Sequence, residues 1–293
     1  MGLLSAMDRA WKRGAIGVGW LAVLALMGLA LAGLAFAWLY SESVIERHYP
    51  LLSMDVPVTD KPADIAHGQH LVMLMGCADC HGASLQGRAL PPVGKFRIHA
   101  PNLTRSAQVL TDEEFARAIR DGLKPDGKSL WVMPSETYTY MSVADVAAVI
   151  AYVHSLPASG AQTPPPRFKH RDRLAIIEGT LEPVATRVEE GGASLDLGPR
   201  YDGGRYIART SCASCHGLDL SGTPDRRIPD LAVVGRYPLR DFFALLREGR
   251  APDGHATPAM TVLSKRRFGV FKDYEVMALY DYLSARAQAL PPR

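Results

Sequence analysis

The chain has 293 residues, 47% hydrophobic and 22% charged, with a formal net charge of +3. That length suits about two domains of roughly 150 residues each; the composition excludes a disordered tail, and the small charge excludes the basic footprint of a nucleic-acid binder. Four cysteines are too few for a disulfide scaffold, yet all four fall in two copies of one short pattern.

Residues 1–13 carry Arg9, Lys12 and Arg13, and residues 14–40 form an apolar run without a charged residue. A membrane-spanning helix needs about 20 such residues. Trp20, Trp38 and Tyr40 suit the membrane interfaces, and the basic residues ahead of the run keep residues 1–13 in the cytoplasm. A cleaved signal peptide competes, because Ala35-Phe36-Ala37 has the form of a cleavage site. Its apolar core would normally be only about 7–15 residues. Either reading exports the remainder.

Residues 41–60, with Pro50 and Pro57 and no helical period, are expected to be a tether. Residues 61–157 and 198–293 read as two domains. The connector between them, 158–197, holds Pro164-Pro165-Pro166, the charged stretch Lys169–Arg173 and Gly191-Gly192. Its apolar patch, Leu174 to Ile177, is expected to pack on one of the domains.

The two domains are related by an internal repeat. At an offset of 135, Gly68, Cys77, Cys80, His81, Leu85 and Gly87 match Gly203, Cys212, Cys215, His216, Leu220 and Gly222; further along, at a shorter offset, Pro101-Asn102-Leu103 answers Pro229-Asp230-Leu231. The offset becomes 127 from Phe115/Phe242 through Pro125-Asp126-Gly127/Pro252-Asp253-Gly254 to Met133/Met260, and 130 at Val146/Val276 and Tyr152/Tyr282. Helices are predicted over Asp112 to Gly122, Leu239 to Gly249, Asp273 to Ala287, and from the N-cap Ser142 to Ser155. Alternating strand patterns are scarce, so the fold class is all-α.

Cys77-Ala78-Asp79-Cys80-His81 and Cys212-Ala213-Ser214-Cys215-His216 are both C-x-x-C-H, the signature of covalent c-type haem attachment. On a helix, positions i and i+3 share a face, so both thiols reach one porphyrin edge and the adjacent His reaches the iron. A zinc site would join both C-x-x-C pairs across separate repeats, and a thioredoxin-type redox pair lacks its βαβ context. The four cysteines imply two haem c groups.

Each iron's sixth ligand should come from a later loop. Met133 (in Met133-Pro134) and Met260 (in Pro258-Ala259-Met260) are the methionines in repeat register close to proline, with Met141 and His255 in reserve. Core packing is the alternative for any methionine. Trp131, Leu103 and Leu231 are candidate pocket-lining residues, for which ordinary core packing would look the same. His48, His67, His70, His99, His154 and His170 have no repeat partner and are expected at the surface or in packing.

On these motifs the chain resembles membrane-anchored di-haem cytochromes c with two tandem class I-like domains. It is similar also to the cytochrome subunits of periplasmic alcohol and sugar-acid dehydrogenases. Those commonly carry a third haem domain and a C-terminal anchor, neither of which this sequence shows, so the resemblance does not fix the dehydrogenase partner. It implies that the carbonyls of Pro101 and Pro229 fix the proximal His81 and His216. It also implies a single-pass protein of the bacterial inner membrane with its haem domains in the periplasm.

The expected function is single-electron transfer between a periplasmic or membrane donor, a dehydrogenase or quinol-oxidising complex, and a downstream acceptor such as a terminal oxidase. A haem closed by His and Met has no vacant site, so neither catalysis nor a small-molecule substrate is expected. A di-haem peroxidase-like enzyme is the alternative. Residues 60–157 carry net −1 and residues 196–293 net +4, which suggests docking to different redox partners.

Overall fold

An unbroken helix, α1 (Gly2–Ile45), carries the apolar run and continues past its expected end at Tyr40. The computed structural model describes residues 2–91, 96–225, 227–252, 254 and 257–291, with side chains from residue 20 onward. Among these, α1 holds the one stretch, Trp20–Ile45, long and apolar enough to cross a membrane. Its Leu, Trp and Phe side chains stand exposed, which suits lipid rather than a protein core. The chain divides into two compact units. One holds residues up to Arg47 with Phe168–Leu181; the other holds 48–167 and 182–293.

Residues 48–60 are not the free tether that their prolines suggest. His48 pairs with Lys128 in an antiparallel bridge, and Tyr49 is buried with Leu123 and Ala185. Met54, Val56 and Val58 pack against the apolar cluster of the adjoining lobe. The reason is a period of two: alternate apolar residues give an extended segment one face to bury.

The first lobe begins with α2 (Pro62–Leu74), which has proline in its first turn, and α3 (Cys77–His81). A short antiparallel pair, β1 (Arg88–Ala89) with β2 (His99–Ala100), leads to α4 (Leu103–Ser106). The helix α5 (Asp112–Arg120) starts at a capping box formed by Thr111 and Glu114, which satisfies two otherwise orphaned backbone donors. After α6 (Ser135–Tyr138), the lobe closes with α7 (Val143–Ser155), where the Ser142 hydroxyl accepts from the Asp145 N–H as expected. Leu71, Val72, Phe115, Ile119, Val146 and Ile150 form the buried centre. Each such side chain is worth about 1.5–3 kcal/mol when removed from water.

The connector is no simple linker. The helix α8 (His170–Ile177) belongs to the same unit as α1, not to either lobe. There Arg173 stacks over Trp38 at 3.8 Å and donates to Ser41 Oγ at 2.9 Å and Glu42 Oε2 at 2.6 Å. Of the apolar patch, Ile176 is buried while Leu174 and Ile177 are exposed. Packing there is thus set by the guanidinium, which binds an aromatic face and a carboxylate together. Then α9 (Val184–Glu190) returns to the body, with the Val184 N–H donating to Leu130 O at 2.9 Å.

The second lobe repeats the first. It comprises α10 (Asp202–Ile207), a π-helical turn (Ala208–Cys212), α11 (Ala213–His216), α12 (Leu239–Glu248), α13 (Pro258–Arg266) and α14 (Asp273–Ala289). Phe242, Leu246, Val276, Leu279 and Tyr282 occupy its core. One detail of the repeat is corrected. A Cβ on Gly68 would lie 1.8 Å from the Ala148 carbonyl oxygen, and a Cβ on Gly204 2.0 Å from that of Ala278, whereas Gly203 faces open space. Gly68 therefore corresponds to Gly204, at an offset of 136. The first lobe inserts Gly76, at φ +78°, between α2 and α3; the second runs straight through its π turn.

With this register the contact between the lobes reads as one contact made twice. His70 of α2 bonds Glu275 of α14 at 2.8 and 3.1 Å, and Tyr206 of α10 bonds Asp145 of α7. His70 and Tyr206 correspond, as do Asp145 and Glu275. Residue i meeting j while j meets i is the pattern of a two-fold interface, here within one chain.

Candidate haem centres

Both C-x-x-C-H segments are built by the same local devices. His81 and His216 end α3 and α11, and each is followed by a glycine at φ above +80° that turns the chain back. Leu85 and Leu220 occupy positive φ, 56° and 64°, which is rare for a residue with a branched side chain. Both are fully buried, and their carbonyls accept from the N–H of Leu103 at 2.8 Å and of Leu231 at 3.0 Å. That closes each loop onto its Pro-x-Leu element. The middle residue of each element caps the next helical turn: Asn102 accepts from the Arg105 N–H and Asp230 from the Ala232 N–H.

The closed loops bring a carbonyl to each imidazole. His81 Nδ1 lies 2.8 Å from Pro101 O and His216 Nδ1 lies 2.9 Å from Pro229 O. A carbonyl only accepts, so Nδ1 carries the proton and Nε2 keeps its lone pair. Burial lowers the basicity of both rings, more than the carbonyl bond raises it, so the neutral, ligating form is favoured. Burial pushes the Cys77 thiol up to about 11 and the Cys212 thiol up to about 12. These are protonated thiols in apolar surroundings, not the low-pKa thiolates of a redox disulfide enzyme.

Met133, Cys77 and Leu103 border the first apolar cluster, and Met141 lies buried within it. Met260 and Cys212 border the second, of which Leu231 is a member. Trp131 is buried and packs edge-on to Phe96, with ring centres 6.5 Å apart. His255 lies outside the described residues, as does Asp253. Among the remaining histidines, His67 and His154 pair with Asp145 and Asp112, and His70, half-buried, bonds Glu275 between the lobes. The donor set of each site fits a haem c: two thiols at i and i+3, and a neutral imidazole with Nε2 free.

Two residues near the motifs were missed from sequence. The Tyr138 hydroxyl donates to Met75 O at 2.8 Å, just ahead of Cys77. Arg267, buried beside α13, reaches Leu74 O at 3.1 Å and Ser211 O at 3.4 Å. A signal for Tyr138 existed: at offset 130 it faces Phe268 in the repeat.

Residues 65–157 match the cytochrome c family model. The segment is thus a cytochrome c domain, a class that holds haem c covalently. The chain is 24% identical over 267 residues to the fructose dehydrogenase cytochrome subunit of Gluconobacter japonicus, covering 78% of this chain and 53% of that one. It is 23% identical over 269 residues to the cytochrome c subunit of the quinone alcohol dehydrogenase of Gluconacetobacter polyoxogenes, covering 78% and 56%. The same values hold for that subunit from Komagataeibacter europaeus. The chain spans about half the length of these relatives. It is homologous over that span to cytochrome subunits of dehydrogenases.

Proposed function

We propose that the chain is a membrane-anchored di-haem c-type cytochrome, passing single electrons from a periplasmic or membrane donor to a downstream acceptor. The observation that carries this reading is the twice-made site: the same C-x-x-C-H turn, strained leucine and proline carbonyl on His Nδ1 occur in both lobes. Residues 61–157 and 198–293 are then two cytochrome c domains, and the second, like the first, holds a haem.

Bound haem c supplies a one-electron iron couple. Cys77 and Cys80, and Cys212 and Cys215, would hold the two ring edges as thioethers. His81 and His216 would present Nε2 to the irons, held in orientation by Pro101 and Pro229. Met133 and Met260 would supply the remaining iron ligands and leave no site for substrate, with Leu103, Leu231 and Trp131 keeping water out. No residue is assigned a catalytic role. The names of the relatives favour a dehydrogenase of sugars or alcohols as donor, and α1 favours a carrier fixed at the bacterial inner membrane with its lobes in the periplasm.

Redox titration of the purified full chain with carbon monoxide tests this. Two low-spin haems that leave CO unbound when reduced are expected. A high-spin, CO-binding ferrous haem would favour the peroxidase-like alternative.

A further inference from the structure

Where the lobes meet, the guanidinium of Arg267 lies buried. Arg267 is 7% exposed. Its Nε and Nη2 donate to Leu74 O at 3.2 and 3.1 Å, and Nη2 also reaches Ser211 O at 3.4 Å. Leu74 stands three residues before Cys77, and Ser211 directly before Cys212. A carboxylate, Asp79 inside the first motif, lies 3.8 Å away. The space is shaped for the group, since a Cβ on Gly76 would fall 2.5 Å from the guanidinium carbon. The carbonyls that Nε and Nη2 meet carry no opposing charge, so Asp79, near the outer limit of an ion pair, offsets the buried cation only in part.

The repeat shows what a hydrogen bond alone would have required. In the first lobe, the carbonyl of Met75 is met by the neutral Tyr138 hydroxyl. Met75 corresponds to Ser211 at offset 136, and Tyr138 to Phe268, which has no donor. The adjacent Arg267 takes over the bond to Ser211 and, with a planar fork that lysine lacks, extends it to Leu74 of the other lobe. The second lobe thus uses a cation where the first uses a neutral group.

We propose that Arg267 is a positioning residue shared by both attachment segments, which fixes them against each other and raises the reduction potential of both haems. This rests on the di-haem reading. Oxidation adds a positive charge to each haem, and a fixed cation in a low-dielectric interior opposes that at both sites.

The test is spectroelectrochemistry of the full chain in detergent, with haem counted by pyridine haemochrome. The variants are Arg267→Gln, Arg267→Lys and a control, Arg240→Gln, whose side chain is 88% exposed. Arg267→Gln should keep two haems and shift both midpoints downward. Arg267→Lys should keep both midpoints near wild type while melting earlier, and the control should shift neither. An Arg267→Gln protein with two haems and unchanged midpoints overturns the proposal. So does an Arg267→Lys protein whose midpoints both fall, and that variant decides alone if Arg267→Gln fails to mature. One haem per wild-type chain would instead refute the di-haem reading, and the shared role with it.

Discussion

At the residue scale, each site depends on small groups whose proton or lone pair is fixed. The Tyr138 phenol, its pKa raised by burial, donates to a backbone carbonyl. Tyr138→Phe should destabilise the holoprotein by about 1–3 kcal/mol, the cost of an unmet buried acceptor, read by urea denaturation. Phe268 in the repeat shows that the ring alone fits such a position. Glu275 is a second case. Burial raises its pKa, but bonds from His70 and the Lys272 N–H outweigh this and hold the carboxyl below its ordinary 4.5. A depressed carboxylate stabilises the fold at neutral pH, and this is lost as pH falls through the lowered pKa. Glu275→Gln should therefore unfold at lower urea than wild type at neutral pH and converge with it in acid; equal midpoints at neutral pH would count against the pairing. Met133→Ala should open the first haem to CO and leave the second closed, with Met260→Ala doing the reverse.

At the element scale, helix packing at the two glycines decides how the lobes are built. A methyl at Gly68 or Gly204 meets a backbone oxygen at 1.8 or 2.0 Å, and backbone cannot swing aside as a side chain can. Gly68→Ala and Gly204→Ala should each lower the melting temperature, at about 1–3 kcal/mol for overpacking, while Gly203→Ala should be nearly neutral. Sequence alone pairs Gly203 with Gly68, because a constant offset hides the inserted Gly76. Motifs and helix termini were legible, since C-x-x-C-H and the Ser142 cap act over three or four residues. What could not be read depends on distant partners: the alternate burial of Met54, Val56 and Val58, the docking of α8 on α1 through Arg173, and the reach of Arg267 into the other lobe. The strained Leu85 and Leu220 were visible as a repeated pair, but not their backbone conformation.

At the scale of the whole molecule, duplication explains both the likeness of the lobes and their contact. One surface pairs with its own copy, so His70–Glu275 and Tyr206–Asp145 arise as versions of one contact. The lobes differ in charge, net −1 over 60–157 against +4 over 196–293. Charge complementarity acts mainly on association rates, so reduction by the donor and re-oxidation by the acceptor should respond to salt in opposite senses in stopped-flow measurements. Identical responses would remove that distinction between the lobes. The central claim is that one anchored chain carries two closed haems. It is tested most directly by counting haem per chain in the purified full-length protein by pyridine haemochrome, alongside a potentiometric titration. Two haem c groups, both low-spin and each taking one electron, are the expected result; a single haem per chain, or a reduced haem that binds CO, would contradict it.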